Sequence, residues 1–516
     1  ITQAIGKLPW PKSMRWARNT FRWVRPFHSI IAVLDGEALE GSYEGFAFGN
    51  ATQGHRFMAP GEFTMSSFED FKAQLSGRFV VLDQDERKAL VKAGCDKVAT
   101  EAGLTMIEDS ALLEEVTNLV EWPVPVLGSF APSFLEVPAE CLILSMKEHQ
   151  KYFALRKQDG SLANAFITMA NIETPDQGAA IRHGNERVLN ARLSDAEFFW
   201  QQDKKTKLAE RCSKLADIVF HAKMGSVLDK SQEVAALAAE LASSIPGCDA
   251  AKAQRAVDLS KADLVTDMVG EFPELQGLMG RYYAEIDGED PSVARAIEQH
   301  YSPLGPNDDC PTEPVSVAAA LADKLWILMA FWKIDEKPTG SKDPFALRRA
   351  ALGALRLILE NKLRLPLRDV IARTIPDQTD DLLSFMMDRL KVMLRDKGIA
   401  YDTIDAAFAL EPQADLTRLV ARIEAIDMFR KTEAGSNLLA AYKRGANILK
   451  AEEKKGDVPL TDTEISADLL EAAEEIALNQ ALSAQAPIAA KAIETETFED
   501  AMAALSVLRD PVDAFF

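Results

Sequence analysis

The spacing of apolar residues changes character once along this chain. Up to about residue 175 the apolar runs are short and sit between turn formers. IIAVL (30–34), RFVVL (78–82) and LILSM (142–146) read as strands, being β-branched or apolar runs of strand length. GSYEGFAFGN and QDGSLANAFITMAN carry the Gly, Asn and Asp punctuation of turns between strands. SFEDFKAQL and RKALVKAGCDKVATEAG read as intervening helices. After about Gly178 apolar residues recur at helical spacing in ERVLNARLSDAEFFWQQDKKTKLAERCSKL, EVAALAAELASSI, VSVAAALADKLWILMAFW and DPFALRRAALGALRLILENKL. Pro303 to Pro314 reads as a loop between two of these helices, and Asp343 before Pro344 as an N-cap and helix start. A break near Leu365–Pro366 opens a last helical region, with EEKKGD (452–457) as an exposed turn. The pattern predicts a multidomain α+β protein, a mixed α/β N-terminal domain followed by largely all-α domains.

Composition narrows the class. At 516 residues the chain has room for three or four domains of ~150 residues, and 47% hydrophobic residues exclude wholesale disorder. No apolar run is read as reaching the ~20 residues of a membrane span, and no signal sequence opens the chain. The five cysteines are scattered without a CxxC pair. That speaks against a Cys-based zinc site and for a reducing cytoplasm. The net charge of −21 is uneven: residues 451–516 hold 15 Asp or Glu against 4 Lys or Arg.

Residues 1–34 are the opposite, with six Lys or Arg and no acid. Lys12, Arg15, Arg18, Arg22 and Arg25 alternate there with Trp10, Trp16, Phe21, Trp23 and Phe27. Such a mixture offers cations for phosphates and flat rings for bases. The same residues also read as a small aromatic core with a solvated cationic face. Three of the six histidines stand among cations or amides: His55 beside Arg56, His149 between Lys147 and Lys151, and His183 among Arg182, Asn185 and Arg187. These clusters suit phosphate or sugar contacts. The chain has no HExxH, no phosphate-cradling GxxxxGK[ST], no GxGxxG and no GxSxG.

The strings LPWPKSMRW, FRWVRPFHSIIAVLDGE, TQGHRF, HQKYFAL, HGNERVLNARLSDAEFF, KADLVTDMVGEFPELQGLMGRYYA, ALADKL and PTGSKDPFALRRAALG follow one another along the chain. In that order they closely resemble the β subunit of bacterial heterotetrameric glycyl-tRNA synthetase, from the first residue to at least Lys450. The resemblance implies a chain truncated at both ends, since the family's chain extends further in each direction. It implies a division of labour in an α2β2 heterotetramer, with no membrane association. The α subunit uses ATP and Mg to activate glycine, while the β subunit binds no cofactor of its own and positions tRNA(Gly).

The resemblance further implies four regions: 1–175, a mixed α/β region contacting tRNA or the partner subunit; 176–365, a helical HD-like domain; 366–410, a helical linker; and 411–516, a helical anticodon-binding domain. The HD superfamily binds metal through a first His, an adjacent His-Asp pair and a distant Asp. His221 matches the first and Asp323 the last, while KADL (261–264) stands where the pair belongs. The site is therefore expected to be degenerate and to hold no metal. In the last region Lys443, Asn447 and Lys450 fall at i, i+4 and i+7 on one helix face, flanked by Arg444. The candidate tRNA-binding residues are Lys12, Arg15, Arg18, Arg22, Arg25, His55, Arg56, Arg182, His183, Asn185, Arg187, Arg192, Lys443, Arg444, Asn447 and Lys450, those of 12–25 and 182–192 being contacts either to the acceptor arm or to the α subunit, with no catalytic residue in this chain. Lys342, Asp343, Arg348 and Arg349 are either further contacts or a helix cap. The alternatives are an HD-type metal-dependent phosphohydrolase and a purely structural assembly subunit.

Overall fold

The computed structural model describes residues 2–409, 415–454 and 470–515. Backbone contacts divide the chain into two units, Ile1–Lys205 and Thr206–Phe516. The proposed boundary at 410/411 and residues 455–457 of the EEKKGD turn lie outside the described residues.

The N-terminal unit is organised by an antiparallel sheet ordered Thr105–Met106, Phe153–Arg156, Leu162–Ala170, Val124–Ser129. One face buries Phe153, Leu155 and Ile167 against Val91, Cys95 and Ala99 of the helix Gln84–Glu101 and Leu112 and Val116 of the helix Ser110–Thr117. Both helices begin at an aspartate: Asp83 accepts the N–H groups of Asp85 and Glu86, and Asp109 that of Leu112. Each such cap is worth about 1 kcal/mol. On the other face Phe166 stacks on Tyr152 with ring centres 4.6 Å apart. A Cβ at Gly128 would stand 2.4 Å from the Phe166 ring, so the neighbouring strand needs glycine there. The helix Ala179–Asp203 buries Leu189, Leu193, Ala196 and Trp200. Its Asn185 accepts the Tyr152 hydroxyl, and its Glu186 accepts the Ser129 N–H at 2.9 Å.

The hairpin read from GSYEGFAFGN is present as Ser42–Tyr43 and Phe46–Gly49, the latter parallel to Ile30–Ile31. Two other strand readings are corrected. RFVVL is an irregular connection, because Phe79 takes the left-handed backbone region (φ 60°) and the N–H groups of Arg78 and Val80 turn back to the Leu75 carbonyl at the end of the helix Phe68–Ser76. LILSM is the end of the helix Ala139–Ser145 and the π-turn after it, burying Cys141, Leu142, Ser145 and Met146. Its spacing is that of a helix with one fully buried face, which a short apolar run does not distinguish from a strand.

The C-terminal unit wraps the helix Pro314–Lys333, whose side chains are almost all buried. Around it pack Val227–Leu241, Ala250–Leu259, Pro291–Gln299 and Leu347–Glu360. Among the described residues this one helix has the length and mean hydropathy (1.6) of a membrane span, contrary to the reading of the sequence, but 94% of that window is buried inside the protein. Asp263, fully buried, accepts the N–H groups of Gly277 at 2.5 Å and Gly280 at 3.1 Å. It thereby closes the start of the helix Leu278–Asp287. A Cβ at Gly280 would meet Ile297 at 2.6 Å. Asp343 does cap a helix, but that helix begins at Leu347, past Pro344: the carboxylate takes the N–H groups of Leu347 at 2.8 Å and Arg348 at 3.0 Å. The last helices are Leu416–Arg430, Glu433–Glu453, Ala473–Glu494, Phe498–Ser506 and Arg509–Phe515. Arg364 ties this end to the helical core through a bidentate pair with Glu496 and a bond to Asp415.

Candidate functional site

The rings of the N-terminal segment are engaged with one another. Trp16 meets Phe21 at 4.8 Å and Phe27 at 5.4 Å, Phe27 meets Phe46 at 4.8 Å, and Trp23 meets Trp10 at 5.1 Å. Edge-to-face packing of this kind stabilises a small cluster beyond its buried area. Lys12, Arg15, Arg18, Arg22 and Arg25 all stand exposed outside it. Arg22 nevertheless bonds Ser13, Nε to Oγ at 3.0 Å and Nη2 to the carbonyl at 2.6 Å, and Arg25 bonds the Val24 carbonyl.

His55 is 2% exposed and serves as a tie. Its Nε2 lies 2.6 Å from the Asn171 carbonyl, while its Nδ1 accepts the N–H groups of Phe57 and Met58. With both nitrogens occupied, it is Arg56 beside it that reaches solvent. The lysines around His149 are also engaged: Lys147 with Asp109 at 2.6 Å, and Lys151 with Glu115 at 3.1 Å. On the helix Ala179–Asp203, Arg182, His183, Arg187 and Arg192 are exposed, whereas Asn185 is held by Tyr152 and the Ile181 carbonyl. On the helix Glu433–Glu453, Lys443, Arg444, Asn447 and Lys450 are all exposed. Tyr442 beside them is 72% exposed. Lys342 follows a tight turn, and Arg348 bonds the Gly340 carbonyl, so most of this motif fastens its own helix.

His221 and Asp323 are not brought together. His221 pairs with Glu336 at 3.3 Å and packs on Phe331 at 5.6 Å. Phe331 is eight residues beyond Asp323 on one helix, a rise of about 12 Å. Asp323 instead pairs with Lys230 at 2.8 Å, both nearly inaccessible. Lys230, Lys261, His300 and Asp323 line one small enclosed cavity. Burial, reinforced by mutual repulsion, lowers the pKa of Lys230. Burial also lowers that of Lys261, and takes Lys324, one residue along, down to about 8. For Asp323 burial works the other way, but the surrounding cations outweigh it and hold the carboxyl well below its usual range. Burial keeps His300 well below its ordinary pKa, and its Nδ1 donates to the Ile297 carbonyl at 2.7 Å. Ammonium groups thus surround the one carboxylate that a metal would need. Among the described residues no three His, Cys, Asp or Glu side chains converge as ligands.

The sequence places Lys261 near such a centre but does not single out Lys230, His300 or Lys324 as its neighbours. A signal existed for Lys230: it interrupts the apolar stripe of Val227, Val234, Leu237 and Leu241. A lysine in a core position of a helix is a buried charge awaiting its partner.

Residues 1–409 match the family described as glycyl-tRNA synthetase beta subunit. The chain is 50% identical to the glycine–tRNA ligase beta subunit of Rhodospirillum centenum, over all of its own length and 77% of that protein. It is 49% identical to the beta subunit of a Ruegeria species and 50% identical to that of Phenylobacterium zucineum, each time over its whole length and 76% of the relative.

Proposed function

The chain belongs to the glycyl-tRNA synthetase beta subunit family, and from that premise we propose that it holds tRNA(Gly) for glycylation on a separate α subunit, in the cytoplasm. In this reading the α subunit carries the ATP- and Mg-dependent chemistry, and the two chains assemble as α2β2. This chain acts by proximity: fixing a large substrate makes the meeting of the tRNA 3′ hydroxyl and an activated glycine effectively unimolecular. Residues 176–365 serve as a metal-free HD-like scaffold and 411–516 as the anticodon-binding region.

The observation that carries the proposal is the state of the cations. Lys12, Arg15, Arg18, Arg182, Arg187, Arg192, Lys443 and Lys450 are exposed and make no ion pair among the described residues. Groups in that state lose little on meeting phosphate and release counterions when they do. The helix face of Lys443, Arg444, Asn447 and Lys450 adds an amide able to hydrogen-bond an unstacked base.

Binding of cognate and non-cognate tRNA to the chain at several salt concentrations tests this. Salt-sensitive, cognate-preferring binding is the expected result. Tight capture of the α subunit with no affinity for tRNA would favour the assembly role instead.

A further inference from the structure

Another cavity of the C-terminal unit is lined by none of these cations. It encloses about 730 Å³ between the loop after Pro303, the helix Leu347–Glu360 and the end of the helix Thr379–Asp396. That is within the usual range for small-ligand sites, roughly 300–1,000 Å³. Its walls are apolar: Pro306 on the loop, Leu352 and Leu359 on the first helix, Met393 on the second. Arg349 and Lys397 also line it and are exposed, and neither has an ion pair among the described residues.

The wall is built in advance. Arg356 crosses from the helix to the loop, donating to the Gly305 carbonyl at 2.9 Å and the Asp308 carbonyl at 2.7 Å. It also neutralises Glu360, another lining residue, at 2.7 Å. Asp308 in turn accepts the N–H groups of Leu304 and Gly305. Of the remaining lining charges, Arg349 and Lys397 stand against Asp396 alone, which leaves a net positive cavity.

We propose that this cavity receives one unpaired nucleotide of the bound tRNA. The base lies between Pro306, Leu352 and Met393, and its phosphate meets Arg349 and Lys397. Apolar side chains can hold an extruded base between them. The two cations suit the phosphate that accompanies every base, and Asp396 offers an acceptor to an exocyclic amine or a ribose hydroxyl. The inference rests on the tRNA-binding role proposed above and adds a subsite to it.

The test is tRNA(Gly) affinity of the full chain at several salt concentrations, with Leu352→Trp to fill the cavity and Lys397→Glu to reverse its cation. Leu352→Trp is expected to weaken binding several-fold, because the indole takes the space the base would bury against apolar walls. Lys397→Glu is expected to weaken it several-fold and flatten the salt slope by about one. Should the tryptophan variant not fold, the exposed Lys397→Glu decides alone. Unaltered affinity in the folded variants, while Lys443→Ala/Lys450→Ala still weakens binding, overturns the cavity and leaves the tRNA role standing. Lost α-subunit capture with intact tRNA affinity also overturns it, by showing a protein occupant. A wild-type chain that binds no tRNA overturns both proposals.

Discussion

Lys230, Lys261 and Lys324 lie inside a helical core, whereas Lys443 and Lys450 stand in the open on a helix of the same unit. The first three have given up their hydration. They recover it from Asp323, from the Tyr301 ring 3.6 Å from the Lys261 ammonium, and from the Tyr301 carbonyl 3.0 Å from that of Lys324. The exposed group keeps its hydration and has geometry to spare. Buried cations therefore hold helices in register and have nothing left for a partner, while exposed ones add little to the fold and remain available to phosphate. Charge alone does not separate the two roles; accessibility does.

The largest effect that could break this contrast is at Asp323. Asp323→Ala leaves the buried Lys230 ammonium without its carboxylate and is expected to cost about 3–5 kcal/mol in denaturant unfolding. Because ammonium groups and carboxylate are all costly to bury, Asp323→Leu with Lys230→Met should recover much of that loss. tRNA affinity of the fraction that stays folded should not move. A cost below about 1 kcal/mol would mean that the centre is a tolerated relic and supports nothing.

Lys324 gives the next effect, through pH. Its folded pKa, about 8, lies below the ordinary 10.5 because of burial. Between those values the unfolded chain binds more protons than the folded one, so stability rises with pH across that window. The gain is at most about 3 kcal/mol. Unfolding curves at pH 7.5 and 10 should show wild type improving relative to Lys324→Met. A pH-independent difference would place the Lys324 ammonium in contact with water.

The two kinds of cation also differ in how far the sequence discloses them. The face of Lys443, Asn447 and Lys450 follows from helical spacing alone, as the long helices do, because a 3.6-residue period repeats over many turns. Asp263 is invisible by that means: its partners Gly277 and Gly280 are 14 and 17 residues away and meet it only after folding. The strand Val124–Ser129 was missed because Pro125 interrupts it. The proline is tolerated since this strand lies at the sheet's edge, where a missing N–H breaks no ladder. Lys230 was legible in principle, but only its burial against Asp323 gives the interruption a meaning.

On the exposed side the changes are smaller in stability and appear in binding. Lys443→Ala with Lys450→Ala is expected to weaken tRNA binding up to about tenfold and to flatten its salt slope by up to about two, with an unchanged melting temperature. A fall in melting temperature without a change in slope would move this face to the structural class.

The cations of the N-terminal segment are all exposed but differ in whether they bond their own chain, so it sharpens the comparison with the smallest perturbation. Arg15 and Arg18 are exposed and without ion pairs among the described residues, while Arg22 is fastened twice to Ser13. Those bonds lie beside the bridge between Met14 and Trp23. Arg15→Ala with Arg18→Ala should weaken tRNA binding a few-fold and leave thermal unfolding alone. Arg22→Ala should do the reverse, lowering the melting temperature by about 2 °C, as loss of two modest hydrogen bonds implies, with less change in the salt slope. Identical behaviour of all three arginines would mean that a bond to the chain's own backbone does not withdraw an exposed guanidinium from phosphate. Burial, rather than partnership, would then be what divides the cations of this chain into two roles.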